Sequence, residues 1–226
     1  MEPRGFKEVD AFMDLIMEAP IMTRSDAAHL LGISRGRLSS WTSGTAPLVQ
    51  TSTVPGFRVT FPLIGLAEAH ILDALRQQFS MQRIRSFVDR AADRLDDPHP
   101  LLNPALVTDG VDAFLDFLKV DGSLLRTKDQ QLALRPVLAD HLKPLGLDAD
   151  GRLSSYRVHR FENPVTVDPR FNGGAPSFTR NRVPLYGPAG YLAGGDLAAS
   201  VQADFELRDG ELRDIQNHQE WILAFS

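Results

Sequence analysis

The chain has 226 residues, 43% of them apolar and 23% charged, and a net charge of −5. That length suits one large domain or two to three small ones at roughly 100–200 residues each, and no apolar run approaches the ~20 residues of a membrane helix. Cysteine is absent, which excludes disulfides, thiolate metal sites and a cysteine nucleophile; the six scattered histidines form no ligand-like cluster, so no metal or other cofactor is expected.

The opening MEPRGFKEVDAFMDLIMEAP interleaves acids with apolar residues, unlike a secretory signal, and implies a cytoplasmic protein. Its apolar residues recur every three or four positions and predict a helix over 1–19, stopped by Pro20. Thr23 or Ser25 caps a second helix that closes at Gly32, and Ser34 caps a third running to Trp41. VQTSTV and FRVTF, separated by Pro55 and Gly56, predict a small hairpin. Two longer helices follow, over 63–78 and, capped by Ser80, over 81–94. DDPHPLLNP, ending at Pro104, is a joint where no helix continues. The stretch 105–161 is mixed: ALV and SLLR suit strands, QQLALRPVLADHL suits a helix and RLSSYRVHRF a strand. ENPVTVDPRFNGGAP is extended and turn-rich, and helices are expected near Pro188, Leu197 and Asp209.

Charge is unevenly placed. From Met22 to Arg58 four arginines face Asp26 alone, whereas from Asp196 to the last residue seven acids face only Arg208 and Arg213. Two different partners are implied, the first of them polyanionic.

The stretch TRSDAAHLLGISRGRLSSW has what a helix-turn-helix needs: small Ala28, a turning Gly32, and Ile33, Leu38 and Trp41 to hold the second helix down. At 100° per residue Leu38 and Trp41 share one face. Gly36, Ser39 and Ser40 fall opposite, flanked by Arg35 and Arg37. Small outer residues let a helix axis sit deep in the major groove, where hydroxyls and guanidinium groups reach base edges and phosphates. Arg24, Ser34, Arg35, Arg37, Ser39, Ser40 and Arg58 are therefore the candidate DNA-binding residues, with Arg24 and Arg58 on phosphates. A helical hairpin with solvated arginines is the plainer alternative. The hairpin and two following helices, the second containing FSMQRIRSFVDRA, resemble the MerR-type winged helix-turn-helix, in which Arg58 would lie on the wing.

Near the other end, Asp168-Pro169, Gly173-Gly174, Pro176, Arg182-Val183-Pro184, Gly194, Phe205 and Leu207 stand in an order that resembles the C-terminal domain of certain type II toxin–antitoxin antitoxins, a domain of unknown function found beside PIN-like ribonuclease toxins. The usual pattern has Gly-Thr before the arginine; here Arg180-Asn181 stands instead, with Asn181 a residue that tolerates positive φ better than most. A phosphate-cradling loop is the rival reading of the glycines, but no Lys-Ser/Thr follows them. Both ends together resemble VapB-type antitoxins.

No catalytic constellation competes. Asp109, Asp112 and Asp116 share a helical face that reads as solvated, His99 reads as a loop residue, His159 as surface or packing, and Gly-x-Ser-x-Gly is absent. The expected fold is α+β and mainly helical: a MerR-like winged helix-turn-helix over 1–97, a mixed middle or dimerisation segment over 98–163, and a small tri-helical antitoxin domain over 164–226. The resemblance implies a homodimeric antitoxin, not an enzyme, that binds operator DNA and a PIN-like ribonuclease toxin. Phe205, Leu207, Glu211 and Trp221 are the candidate toxin contacts, because acids interleaved with apolar anchors suit a basic surface. The alternative is a MerR-like ligand-responsive regulator without a toxin. A chain ending near Arg160 is expected to keep DNA binding and lose inhibition.

Overall fold

The computed structural model describes residues 15–52, 60–77, 79–95, 98–102 and 141–225. The fold mixes helix and sheet, as an α+β protein should. It divides into two compact units, one drawn from Met1–Ser39, Thr51–Leu63 and Ser155–Ser226, the other from Ser40–Gln50 and Ile64–Ser154. Residues from before position 40 and after position 154 thus belong to one compact unit.

In the first unit, residues 15–18 are helical and stop before strand β1 (Pro20–Met22). β1 was not foreseen. It pairs antiparallel with β2 (Phe61–Pro62), the end of the expected FRVTF strand. Ser52 N donates to Thr60 O at 2.8 Å; the rest of the expected hairpin, Arg58 included, lies outside the described residues.

Helix α1 (Arg24–Leu31) starts where a cap was expected. Thr23 Oγ1 accepts from Asp26 N at 3.1 Å while Thr23 N donates to the Asp26 carboxylate at 3.2 Å, a reciprocal capping box. The helix ends on Gly32, at φ 68°, with Ile33 N bonded to Ala28 O, the six-to-one closure of a left-handed C-cap. After this corner α2 (Arg35–Thr42) begins, and Ser34 Oγ accepts from Arg37 N at 3.2 Å.

A four-stranded sheet has the order β3 (Leu145–Leu147), β4 (Leu153–Val158), β5 (Val165–Val167), β6 (Ser177–Phe178). Tyr156 pairs with Val167 and Val158 with Val165, antiparallel, and Val165 pairs with Phe178. All five side chains are buried, the inward half of a period-two alternation. Four short helices close the unit: α5 (Tyr186–Ala193), α6 (Ala198–Asp204), α7 (Asp209–Asn217) and α8 (Gln219–Leu223). The break between the last two, at His218, makes four helices where three were expected.

The second unit contains α3 (Leu63–Arg76) from Ile64 onward and α4 (Met81–Leu95), close to the expected spans, with Ser80 capping α4. Leu66, Ala67, Leu72 and Leu75, spread round the helix, are all buried, so α3 is enclosed on nearly every side. Buried on the same helix, Glu68 accepts from Gln50 N at 2.7 Å and lies 2.8 Å from His99 Nδ1, so His99 is an anchored residue and not a plain loop one. Asp109, Asp112 and Asp116 lie outside the described residues. Among the described residues no helix is long and apolar enough to cross a membrane, and no three acidic, histidine or cysteine side chains gather as a metal site.

Candidate nucleic-acid interface and C-terminal surface

Helix α2 has the two faces expected of it. Leu38 and Trp41 are fully buried, while Ser34, Arg35, Gly36, Arg37 and Ser40 are exposed. A Cβ built on Gly36 meets nothing within 4 Å, so no neighbour among the described residues requires that glycine. A helix-interior glycine costs about 1 kcal/mol relative to alanine, and nothing within the fold offsets it. Ser39 differs from expectation: it is half-buried, with its hydroxyl 3.5 Å from Arg24 Nη1. Arg24 itself is half-buried, and its Nε is enclosed without a hydrogen-bond partner. Arg24 and Ser39 meet each other at the inner margin of the pair of helices, and the exposed cations are Arg35 and Arg37.

The C-terminal motif folds as a series of turns. Asp168 Oδ1 accepts from Arg170 N at 3.0 Å, the Asx turn expected ahead of Pro169, and the two side chains pair through both oxygens at 2.6 and 2.8 Å. Asn172, Gly173 and Gly174 all have positive φ. At Gly174 the requirement is double, since a Cβ there would stand 2.6 Å from Ile21 Cβ on β1. The left-handed residue near the departure from the usual pattern is Arg182, φ 58°, and not Asn181. Asn172 Nδ2 donates to Arg182 O at 2.6 Å, and the Arg182 guanidinium stacks 3.2 Å from the centre of the Phe171 ring. Asn181 instead uses its amide oxygen to accept from Val183 N.

Arg180, at the place of the pattern's glycine, forms a two-pronged ion pair with Glu211 at 3.0 and 2.7 Å and also donates to Glu206 O. Glu211 is only 3% exposed and accepts a further bond from Arg208 N, completing the start of α7. Burial by itself raises the Glu211 carboxyl; the bonds from Arg180 and Arg208 N, with the charge of both arginines, outweigh it and hold the group below the ordinary carboxylate range. The bond to Glu211 in turn raises the Arg180 guanidinium. Asp214, also buried, accepts from Glu162 N, Asn163 N and Asn163 Nδ2. Two of the seven acids after position 195 are thus internal, which leaves five exposed acids against two exposed arginines.

The chain is similar to a mycobacterial antitoxin-named protein. Over 230 residues it is 26% identical to the Mycobacterium tuberculosis protein named "Putative antitoxin VapB45", covering 91% of this chain and 96% of that one. The crystal structure of Rv2018 from Mycobacterium tuberculosis matches with a TM-score of 0.73 at 26% identity, over 88% of this chain and 99% of the other. No family model matches.

Of the four residues expected to contact a toxin, Leu207 and Glu211 are buried and Phe205 and Trp221 half-buried, each with contacts inside the fold. Leu207 is buried, Glu211 is paired, and half-buried Phe205 lays its ring edge on Tyr191. Trp221 packs against His29, Phe161 and Phe225, with Arg160 over its face. Beside it, Ile21, Met22, Thr23, Pro176, Tyr186 and Ile222 line part of a mainly apolar cleft of about 390 Å³. The link from His29 to Trp221 was missed from the sequence: the residues are 192 positions apart, and no spacing rule spans that distance.

Proposed function

We propose that this chain is the antitoxin of a type II toxin–antitoxin pair: a cytoplasmic, non-enzymatic homodimer that neutralises a PIN-like ribonuclease by direct binding and represses its own operon. The antitoxin role is supported by nearly full-length similarity to a protein bearing that name. The DNA-binding role rests on one observation, the exposed outer face of α2 with Arg35 and Arg37 around Gly36, opposite buried Leu38 and Trp41. We read α1 and α2 as the helix-turn-helix of a MerR-like winged domain. In this arrangement Ser34 and Ser40 meet base edges or phosphates, and Arg58 serves the wing. A dimer would place two such helices in successive major grooves of a pseudo-palindrome, half-sites about one helical turn apart.

The test is a fluorescence-anisotropy titration of the full chain with its own upstream DNA at two salt concentrations, together with the identity of the neighbouring gene. Tight binding that weakens with salt and is lost in the Arg35/Arg37 double alanine variant is expected; binding equal to that of unrelated DNA refutes operator recognition. The cleft beside Thr23 and Asp26 favours one second reading, a ligand-responsive regulator, because its volume and apolar lining are those of a small-molecule site. A transporter or metabolic gene in place of a ribonuclease beside this one, with operator affinity that changes on adding a small apolar compound, would favour it.

A further inference from the structure

Beside the half-buried Phe205, the described residues leave an apolar surface open. Five large apolar side chains are exposed, and three of them, Tyr186 at 59%, Tyr191 at 55% and Leu197 at 75%, fall within twelve consecutive residues. At 100° per residue, Gly190 lies between Tyr186 and Tyr191 on the outer face of α5. A Cβ at Gly190 would meet nothing within 4 Å, whereas one at Gly187 on the same helix would stand 3.2 Å from the Phe205 ring. Contacts among the described residues therefore account for Gly187 and not for Gly190, beside which the surface is open. Acids border this face. Asp196 N bonds to Tyr191 O, and exposed Asp204 and Glu206 flank Phe205, whose ring meets that of Tyr191.

We propose that Tyr186, Gly190, Tyr191 and Leu197, rimmed by Asp196, Asp204 and Glu206, form the surface that receives the ribonuclease, an inference that rests on the antitoxin reading. Tyrosines are the side chains most often found as binding anchors, and an acidic rim around an apolar centre suits a basic protein surface of the kind that grips RNA. The same acids repel nucleic acid and anionic membrane, which leaves a basic protein as the partner the chemistry selects.

The test uses the full chain and the purified ribonuclease encoded beside it. Gly190→Arg sets a long cation in the open space on this face, where a Cβ meets nothing within 4 Å; Gly190→Ala is the small control. Gly190→Arg should weaken ribonuclease binding by about thirty-fold or more, the scale of a lost hot spot, with melting temperature and operator binding as in the wild type, and Gly190→Ala should bind nearly as the parent does. If Gly190→Arg melts early, Leu197→Lys at the most exposed of these positions decides the matter by the same measure. Wild-type affinity in these variants overturns the surface and leaves the antitoxin reading intact. Failure of the unmodified chain to bind that ribonuclease overturns both.

Discussion

Nε2 of His29 lies 2.9 Å from the carbonyl oxygen of Trp221, and the two rings stack with centroids 5.0 Å apart. Because the carbonyl can only accept, Nε2 carries the hydrogen. This contact joins α1 to α8, and with Ile21 close against Gly174 it ties α1 and β1 to the later residues of the same compact unit. Trp221→Ala should therefore destabilise the unit that contains α1, by about 3 kcal/mol for loss of a large packed aromatic, measured by urea unfolding. Truncation after Arg160 is now expected to weaken operator binding as well as abolish inhibition, since it strips α1 of these partners. A truncated chain that binds DNA as the full one does would show that α1 holds without them.

The outer face of α2 gives a separable pair of effects. Arg35→Ala or Arg37→Ala should each cost about 1–3 kcal/mol of operator affinity if a bidentate base contact is lost, without a change in melting temperature. Gly36→Ala should stabilise the helix by up to about 1 kcal/mol, since its Cβ enters open space, yet weaken operator binding where the backbone lies close to the groove floor. A Gly36→Ala variant that is more stable and binds DNA unchanged would remove the close approach.

Gly174 is irreplaceable on two counts, a φ of 80° and Ile21 at 2.6 Å from its would-be Cβ. Gly174→Ala should cost about 2 kcal/mol or more. Adding Ile21→Gly, which removes the opposing Cβ, should relieve the clash but not the backbone strain, so the double variant should be more stable than the two separate losses predict. Simple additivity in chemical denaturation would show that the two residues do not meet.

The Arg180–Glu211 pair sets an acid limit. The folded-state Glu211 is held below the ordinary value, so its contribution is fully present above the unfolded carboxylate range near pH ~4.3. It is lost as pH falls from there through the depressed folded value. Wild-type stability should drop more steeply than that of Glu211→Gln between about pH 5 and 3, followed by thermal melts across that range. Parallel curves would mean the pair is not formed in solution.

Much of this was legible locally. The box from Thr23 to Asp26, the glycine corner, the inward Leu38 and Trp41, and the Asx turn at Asp168 all depend on residues within a few positions of one another, where spacing carries the information. What was not legible depended on distance. The internal partners of Glu211 and Trp221 lie far along the chain: Arg180 at 31 positions and His29 at 192. Strand β1 went unseen because three residues beginning with proline have too little pattern to announce a strand, and only β2 gives it one. The positive φ fell on Arg182 instead of Asn181 because bonds from Asn172 and stacking on Phe171 outweigh the intrinsic preference.

The most direct measurement of the proposed role is RNA cleavage by the ribonuclease encoded beside this gene, titrated with the purified full chain. Cleavage should fall in proportion to the chain added and cease near stoichiometric amounts, with Gly190→Arg requiring a large excess and the Arg35/Arg37 double alanine variant inhibiting as well as the wild type. Cleavage that continues undiminished in a molar excess of the folded chain would contradict the antitoxin function.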